Sequence, residues 1–158
     1  MGCMLCKSRF TKKSISFNRN IIYNQKSIEV EYKNTIKFIP PITSGYVIKV
    51  YDGDTITVCN RLPIKNCNDI FRFSVRLDGI DAPEMRGSPR REKKLAMRSR
   101  DALHKKIYNK HVTLRNNKTE KYGRILSTIY LGNENINDWM VDNGYAVRYD
   151  GGAKTIVW

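Results

Sequence analysis

The chain has 158 residues, 29 of them Lys or Arg and 15 Asp or Glu, for a formal charge of +14. That length suits one domain with an appendage and is enough to bury a core without disulfide support. No apolar run approaches the roughly 18–20 residues of a membrane span, and the start, Met1-Gly2-Cys3-Met4-Leu5-Cys6-Lys7, has no stretch of secretory-signal length. Charge of this size speaks to partners, and the partners it favours are polyanions, either nucleic acid or an anionic membrane face.

Residues 1–43 read as a basic tail and linker. Lys7, Arg9, Lys12, Lys13 and Arg19 fall in the first 20 residues without a single acid. Val30-Glu31-Tyr32 and Ile36-Lys37-Phe38-Ile39 alternate as short strands would, and Pro40-Pro41 stops regular structure. Residues 44–158 read as the folded domain. Tyr46-Val47-Ile48-Lys49-Val50 and Thr55-Ile56-Thr57-Val58 flank a tight turn at Asp52-Gly53, which predicts a hairpin. Phe71-Arg72-Phe73-Ser74-Val75-Arg76-Leu77 alternates, so Arg76 is expected opposite the face that carries Phe73 and Val75.

Ser88-Pro89 looks like a helix start. Leu95, Ala96, Ser99, Ala102, Leu103 and Ile107 follow at helical spacing, opposite a basic stripe of Arg91, Lys94, Arg98 and Lys105. His111-Val112-Thr113-Leu114 and Ile125-Leu126-Ser127-Thr128-Ile129-Tyr130 predict two more strands. A short helix is expected over 136–143, with Trp139 and Met140 inward and Gly144 closing it. The expected fold is α+β, mainly β: a five-stranded Greek-key barrel of the oligonucleotide-binding (OB) type, with one inserted amphipathic helix and a short C-terminal helix.

The four cysteines form two pairs. Cys3/Cys6 is one C-x-x-C, whereas a structural zinc takes four ligands. Cys59 and Cys67 flank a connection between strands, where they either bridge it or stand as free thiols.

Three strings carry the chemistry: Asp52-Gly53-Asp54-Thr55, Arg76-Leu77-Asp78-Gly79-Ile80-Asp81-Ala82-Pro83-Glu84 and Lys121-Tyr122-Gly123-Arg124. Calcium takes six to eight oxygens and favours carboxylates, and Asp54 and Asp81 sit at strand ends that a barrel brings together, with the Ala82 carbonyl beside them. In-line displacement at a phosphodiester builds negative charge on the phosphorus oxygens, and the guanidinium forks of Arg76 and Arg124 match that charge. Glu84, three residues past Asp81, is placed to take the proton of an attacking water. Lys121 and Tyr122 are candidates to hydrogen-bond a phosphate.

In order and spacing these strings resemble the motifs of the staphylococcal nuclease (thermonuclease) family, over about residues 44–149. The resemblance implies an OB-type barrel and one calcium held by Asp54, Asp81 and the backbone carbonyl of Ala82. It further implies phosphate-binding arginines at Arg76 and Arg124, a general base at Glu84, and substrate contacts at Tyr122 and Lys121. Family members cut DNA and RNA with little sequence preference and leave 3′-phosphates. The family often has threonine where Ala82 stands, and its bacterial prototype continues into a further C-terminal helix. Trp158 or the N-terminal segment is placed to cover that flank here. Two rival readings are a catalytically inactive barrel that binds nucleic acid, and a membrane-surface adaptor. A monomer is expected.

The N-terminus carries a second signal. Gly2 after Met1 is a myristoylation candidate, Cys3 and Cys6 are palmitoylation candidates, and the basic run adds electrostatic attraction to a membrane face. The expected location is therefore the cytoplasmic side of a membrane, held by lipid, without secretion through a signal peptide.

Overall fold

Strand alternation and one apolar helix stripe build the fold. The computed structural model describes residues 22–23, 26–27, 31–85, 90–120 and 122–152. The chain divides into two units, Met1–Ile36 and Lys37–Trp158. In the first, β1 (Ile22–Tyr23) pairs antiparallel with β2 (Lys26–Ser27), and a 3-10 turn spans Tyr32–Asn34. The expected strand at residues 36–39 is irregular: its alternating side chains meet no sheet, Ile36 and Phe38 being 95% and 71% exposed. Pro40 accepts from the Ile42 N–H instead of extending a ladder.

In the second unit the order is β3 (Ser44–Val50), β4 (Thr55–Arg61), β5 (Ile70–Leu77), β6 (Ile80–Asp81), α1 (Arg90–Ile107), β7 (His111–Thr119), β8 (Ile125–Leu131), β9 (Glu134–Asn135), α2 (Ile136–Asp142) and β10 (Val147–Arg148). The sheet runs β5-β4-β3-β7-β8-β9, and β5 also pairs with β8 in parallel, so the five long strands close into a barrel. This is the expected OB-type architecture. The register brings three strand ends to one rim: Arg76 of β5 lies opposite Thr55 of β4 and Leu126 of β8.

The barrel interior holds Val47, Ile56, Val58, Val75, Leu77 and Ile129, all fully buried. Each such side chain contributes roughly 1.5–3 kcal/mol on burial. On β5, Val75 and Leu77 are buried while Arg76 lies on the other face, as its alternation predicts. Helix α1 buries Ala96, Ser99, Leu103 and Ile107 along one stripe and leaves Arg91, Lys94, Arg98 and Lys105 exposed.

Helix α2 starts at Asn135, whose side chain accepts the Asn137 and Asp138 N–H groups, and Gly144 follows it with φ +67°. Met140 is fully buried and Trp139 half-buried. Asn137, 2% exposed, ties the helix to the rim: its amide donates to the Asp78 and Ser127 carbonyls and its oxygen accepts the Ile129 N–H. Ser88, Pro89 and Trp158 lie outside the described residues.

Candidate active site

The first turn is shaped to deliver a carboxylate. The Asp54 N–H donates to Asp52 Oδ1 at 3.2 Å, and the Tyr51 N–H to the Thr55 carbonyl at 2.8 Å. Gly53 has to be glycine, because a Cβ there would stand 1.9 Å from Ser99 Oγ of α1 and 2.7 Å from the Ala82 Cβ. The turn is pressed between α1 and the segment after β6. Asp54 therefore points into the rim, 3% exposed, with Oδ1 accepting from Thr55 Oγ1 at 2.9 Å and Oδ2 from the Ala82 N–H at 3.3 Å.

Arg76 lies between two acids. Its Nη1 is 2.8 Å from Asp54 Oδ2, and its Nη2 is 3.1 Å from Asp81 Oδ1 and donates to the Ile80 carbonyl at 3.4 Å. Asp81 is 4% exposed. Its strand β6 is held by β10, with Asp81 opposite Val147. Arg124 approaches the same group from the turn before β8. It grips Glu120 with both arms of its fork, Nε to Oε2 at 2.5 Å and Nη2 to Oε1 at 2.8 Å, and its Nη1 donates to Thr55 Oγ1 at 3.3 Å. The Thr55 hydroxyl thus links Arg124 to Asp54. Tyr122, 72% exposed, has its ring 5.9 Å from the Arg124 guanidinium.

Burial and charge oppose each other here. Burial pushes the Asp54 carboxyl up to about 7; Arg76 works against that shift and Asp52 adds to it. Burial also disfavours the Arg76 cation, but Asp54 and Asp81 outweigh it and hold the guanidinium above its ordinary value. Arg76 contacts both buried carboxyl groups, and the one against Asp52 resists ionising. Two buried acids at one rim are hard-oxygen donors, a chemistry that fits a divalent cation such as calcium. Among the described residues no three acidic, histidine or cysteine side chains gather as a metal-holding group, and Asp54 and Asp81 are the two buried acids.

Of the residues singled out in the sequence, Asp54, Arg76, Asp81 and Ala82 form one cluster, and Arg124 joins through Thr55 with Tyr122 beside it. Glu84 is exposed, and its backbone N–H donates to Glu92 Oε1 of α1 at 3.2 Å. Lys121, Gly2, Cys3 and Cys6 lie outside the described residues. Cys59 and Cys67 are free thiols, half-buried.

Four residues were missed. Thr55 stood in the first string without a role. Glu120 stands four residues before Arg124, the spacing of an acid–base pair. Leu126 and Tyr149 come together with Arg76 and Glu120 only in the fold, where they line a cleft of about 320 Å³ against the cluster.

Comparison with known proteins identifies a family. The staphylococcal nuclease homologue family matches residues 74–155, just over half of the chain. The chain belongs to that family. The match contains Arg76, Asp81, Glu84, Tyr122 and Arg124, while Asp54 precedes it. The chain is 33% identical over 115 residues to Protein ParB of Escherichia coli, covering 66% of this chain and 56% of that protein. It is 29% identical over 132 residues to a probable endonuclease of Schizosaccharomyces pombe, covering 68% and 56%. It is 34% identical over 103 residues to an uncharacterized endonuclease of Haemophilus influenzae, covering 65% and 51%. The chain thus spans little more than half the length of these curated relatives.

Proposed function

We propose that this chain is a calcium-dependent, sugar-nonspecific endonuclease that hydrolyses phosphodiester bonds of DNA and RNA. The observation that carries the reading is the cluster itself: two guanidinium forks meet at buried carboxylates, one directly and one through Thr55. Asp54, Asp81 and the Ala82 carbonyl would hold calcium, which when bound supplies positive charge to the phosphate oxygens. Each arginine then exchanges its carboxylate partner for phosphate.

Glu84 removes a proton from water as that oxygen bonds to phosphorus. Charge builds on the non-bridging oxygens, where the forks of Arg76 and Arg124 bind it more tightly than in the ground state. The bond from phosphorus to the 5′ oxygen breaks, that oxygen takes a proton from water and leaves as a 5′-hydroxyl, and a 3′-phosphate remains. Tyr122 and Lys121 contact a flanking phosphate, and the cleft bounded by Leu126 and Tyr149 receives the neighbouring nucleoside.

The test is cleavage of supercoiled plasmid and of single-stranded RNA by the purified chain, with calcium, with magnesium and with a chelator. Cleavage of both is expected in calcium, little in magnesium because magnesium demands tighter octahedral geometry, and none in chelator. Full activity in magnesium with calcium removed overturns the metal assignment, and no cleavage under any condition leaves a binding-only barrel.

For location we propose a lipid anchor through Gly2, Cys3 and Cys6 that holds the nuclease at the cytoplasmic face of a membrane. Two lipid signals hold stably where one releases easily. Gly2→Ala with Cys3→Ser and Cys6→Ser, expressed in a eukaryotic cell, should move the chain to the soluble fraction after a high-salt wash. Equal solubility of both forms refutes the anchor.

A further inference from the structure

A second groove shares no lining residue with the catalytic cluster. Its volume is about 350 Å³, and it is lined by Ala102, Lys105 and Lys106 of α1, Lys110 shortly after it, Trp139 of α2 and Tyr145 shortly after that helix. The two rings are half-buried, 5.6 Å apart between centroids and tilted by 39°. Cations already attend them: Lys106 Nζ is 4.7 Å from the Trp139 ring, and the Arg98 guanidinium 5.4 Å from the Tyr145 ring. Among the described residues the one carboxylate in an ion pair with a lining lysine is Glu134, 2.8 Å from Lys106 Nζ. Lys105, Lys110 and Arg98 are exposed.

We propose that this groove is a second contact for single-stranded nucleic acid, which seats phosphates on Lys105, Lys106 and Lys110 and stacks a base against Trp139 or Tyr145. The choice of polymer rests on the nuclease reading. Three lysines and two aromatic rings lining one groove form the two-part surface that unpaired strands use, charge for the backbone and ring faces for the bases. A duplex keeps its base faces stacked and offers them to no side chain. A membrane interface favours apolar groups that protrude, and these rings are recessed. The consequence is a longer footprint: a polymer held at the rim by the catalytic arginines gains a second hold at the groove, and a short substrate does not.

The test uses the full chain carrying Trp158→Phe, which leaves Trp139 as its one tryptophan. Binding is measured in chelator, so no cleavage occurs, with oligothymidylates of about 30 and about 4 nucleotides, sizes that exceed and barely fill one such site. The long strand is expected to quench Trp139 emission and the short one to leave it unchanged. Lys105→Ala/Lys106→Ala/Lys110→Ala should weaken the long strand roughly tenfold. It should also lower the slope of log affinity against log salt by about 2, since three lost phosphate contacts each remove about 0.7. Its kcat/KM in calcium for the short substrate should equal that of the parent.

An unchanged salt slope, or no quench by the long strand, overturns the groove. So does a triple variant that loses binding to phosphatidylserine vesicles while it holds the long strand as before. Because binding is read without metal, quench and slope loss in a chain that never cleaves would sustain the groove and sink the nuclease reading, and normal cleavage with no quench would do the reverse.

Discussion

Arg76 and Arg124 reach one carboxylate network by different means. Arg76 is carried by the end of a strand paired on both sides: it lies opposite Thr55 on one neighbour and Leu126 on the other, with 13% of its side chain exposed. The sheet aims it before any side chain contributes. Arg124 comes from a turn, 26% exposed, and its direction is set by the two-armed grip of Glu120 and a single bond to Thr55. A guanidinium in a ladder is placed by the backbone; one in a turn is placed by its acid. The same contrast divides their partners. Asp54 and Asp81 are buried against Arg76, whereas Glu120 is partly exposed and holds Arg124 in its two-armed grip.

The largest effects should come from the forks and the base. Arg76→Lys and Arg124→Lys keep the charge but lose the bidentate geometry, and the loss of one preorganised donor at a developing charge is worth about 10²–10³ in kcat. Glu84→Gln removes general-base catalysis, about 10²–10⁴. All three should fold as the parent does, checked by circular dichroism and melting temperature, and should lose kcat and kcat/KM together because the lost contacts form in the transition state. Near-parental turnover in any two of them breaks the assignment of both arginines to one site.

Much of this site was legible in the sequence because short strings report local chemistry. The alternation around Arg76 placed it opposite Val75, and Asp-Gly announced the turn before Asp54. The stripe from Ala96 to Ile107 gave α1, since burial on one face repeats at helical spacing. What stayed hidden depends on contacts across the fold. Ser99 forces Gly53 to be glycine from 46 residues away in the chain, and the Asn137 amide supports the Asp78 carbonyl with a bond spanning 59 positions. Alternation misled at residues 36–39, because a period of two describes a surface only when a sheet exists to provide it. The pairing of Glu120 with Arg124 was in reach, at a spacing of four.

Glu120→Gln sharpens the contrast at smaller amplitude. Glutamine keeps one acceptor but cannot receive both arms of the fork, so Arg124 loses its fixed direction. A fall of roughly tenfold in kcat/KM is expected, since a charge-assisted bond is worth about 1.5–3 kcal/mol and part of it is recovered by the phosphate. Arg124→Lys combined with Glu120→Gln should be no worse than Arg124→Lys alone, because the acid acts only through the fork. Additive losses would show that Glu120 touches substrate itself and that turn and strand arginines are not placed by different means.

The other side of the comparison is tested without catalysis, through Asp54→Asn in metal-free protein. The Asp54 carboxyl stands at about 7 in the fold against an ordinary 3.8, with burial the largest cause. An acid whose folded value is raised contributes stability that is present in full below about pH 4. That contribution is lost progressively as pH rises toward about 7, because the unfolded chain releases its proton first. Asparagine has no proton to lose and escapes the decline. The variant should therefore match or trail the parent at low pH, where Asp54 is neutral and only its bonds to Thr55 and Ala82 differ. It should overtake the parent by several degrees in melting temperature by pH 8. Saturating calcium should reverse the order, because binding stabilises only the chain that retains both carboxylates. If the variant melts below the parent at pH 8 in chelator, the ion pair with Arg76 outweighs burial, and Asp54 is not an acid that a divalent cation would relieve.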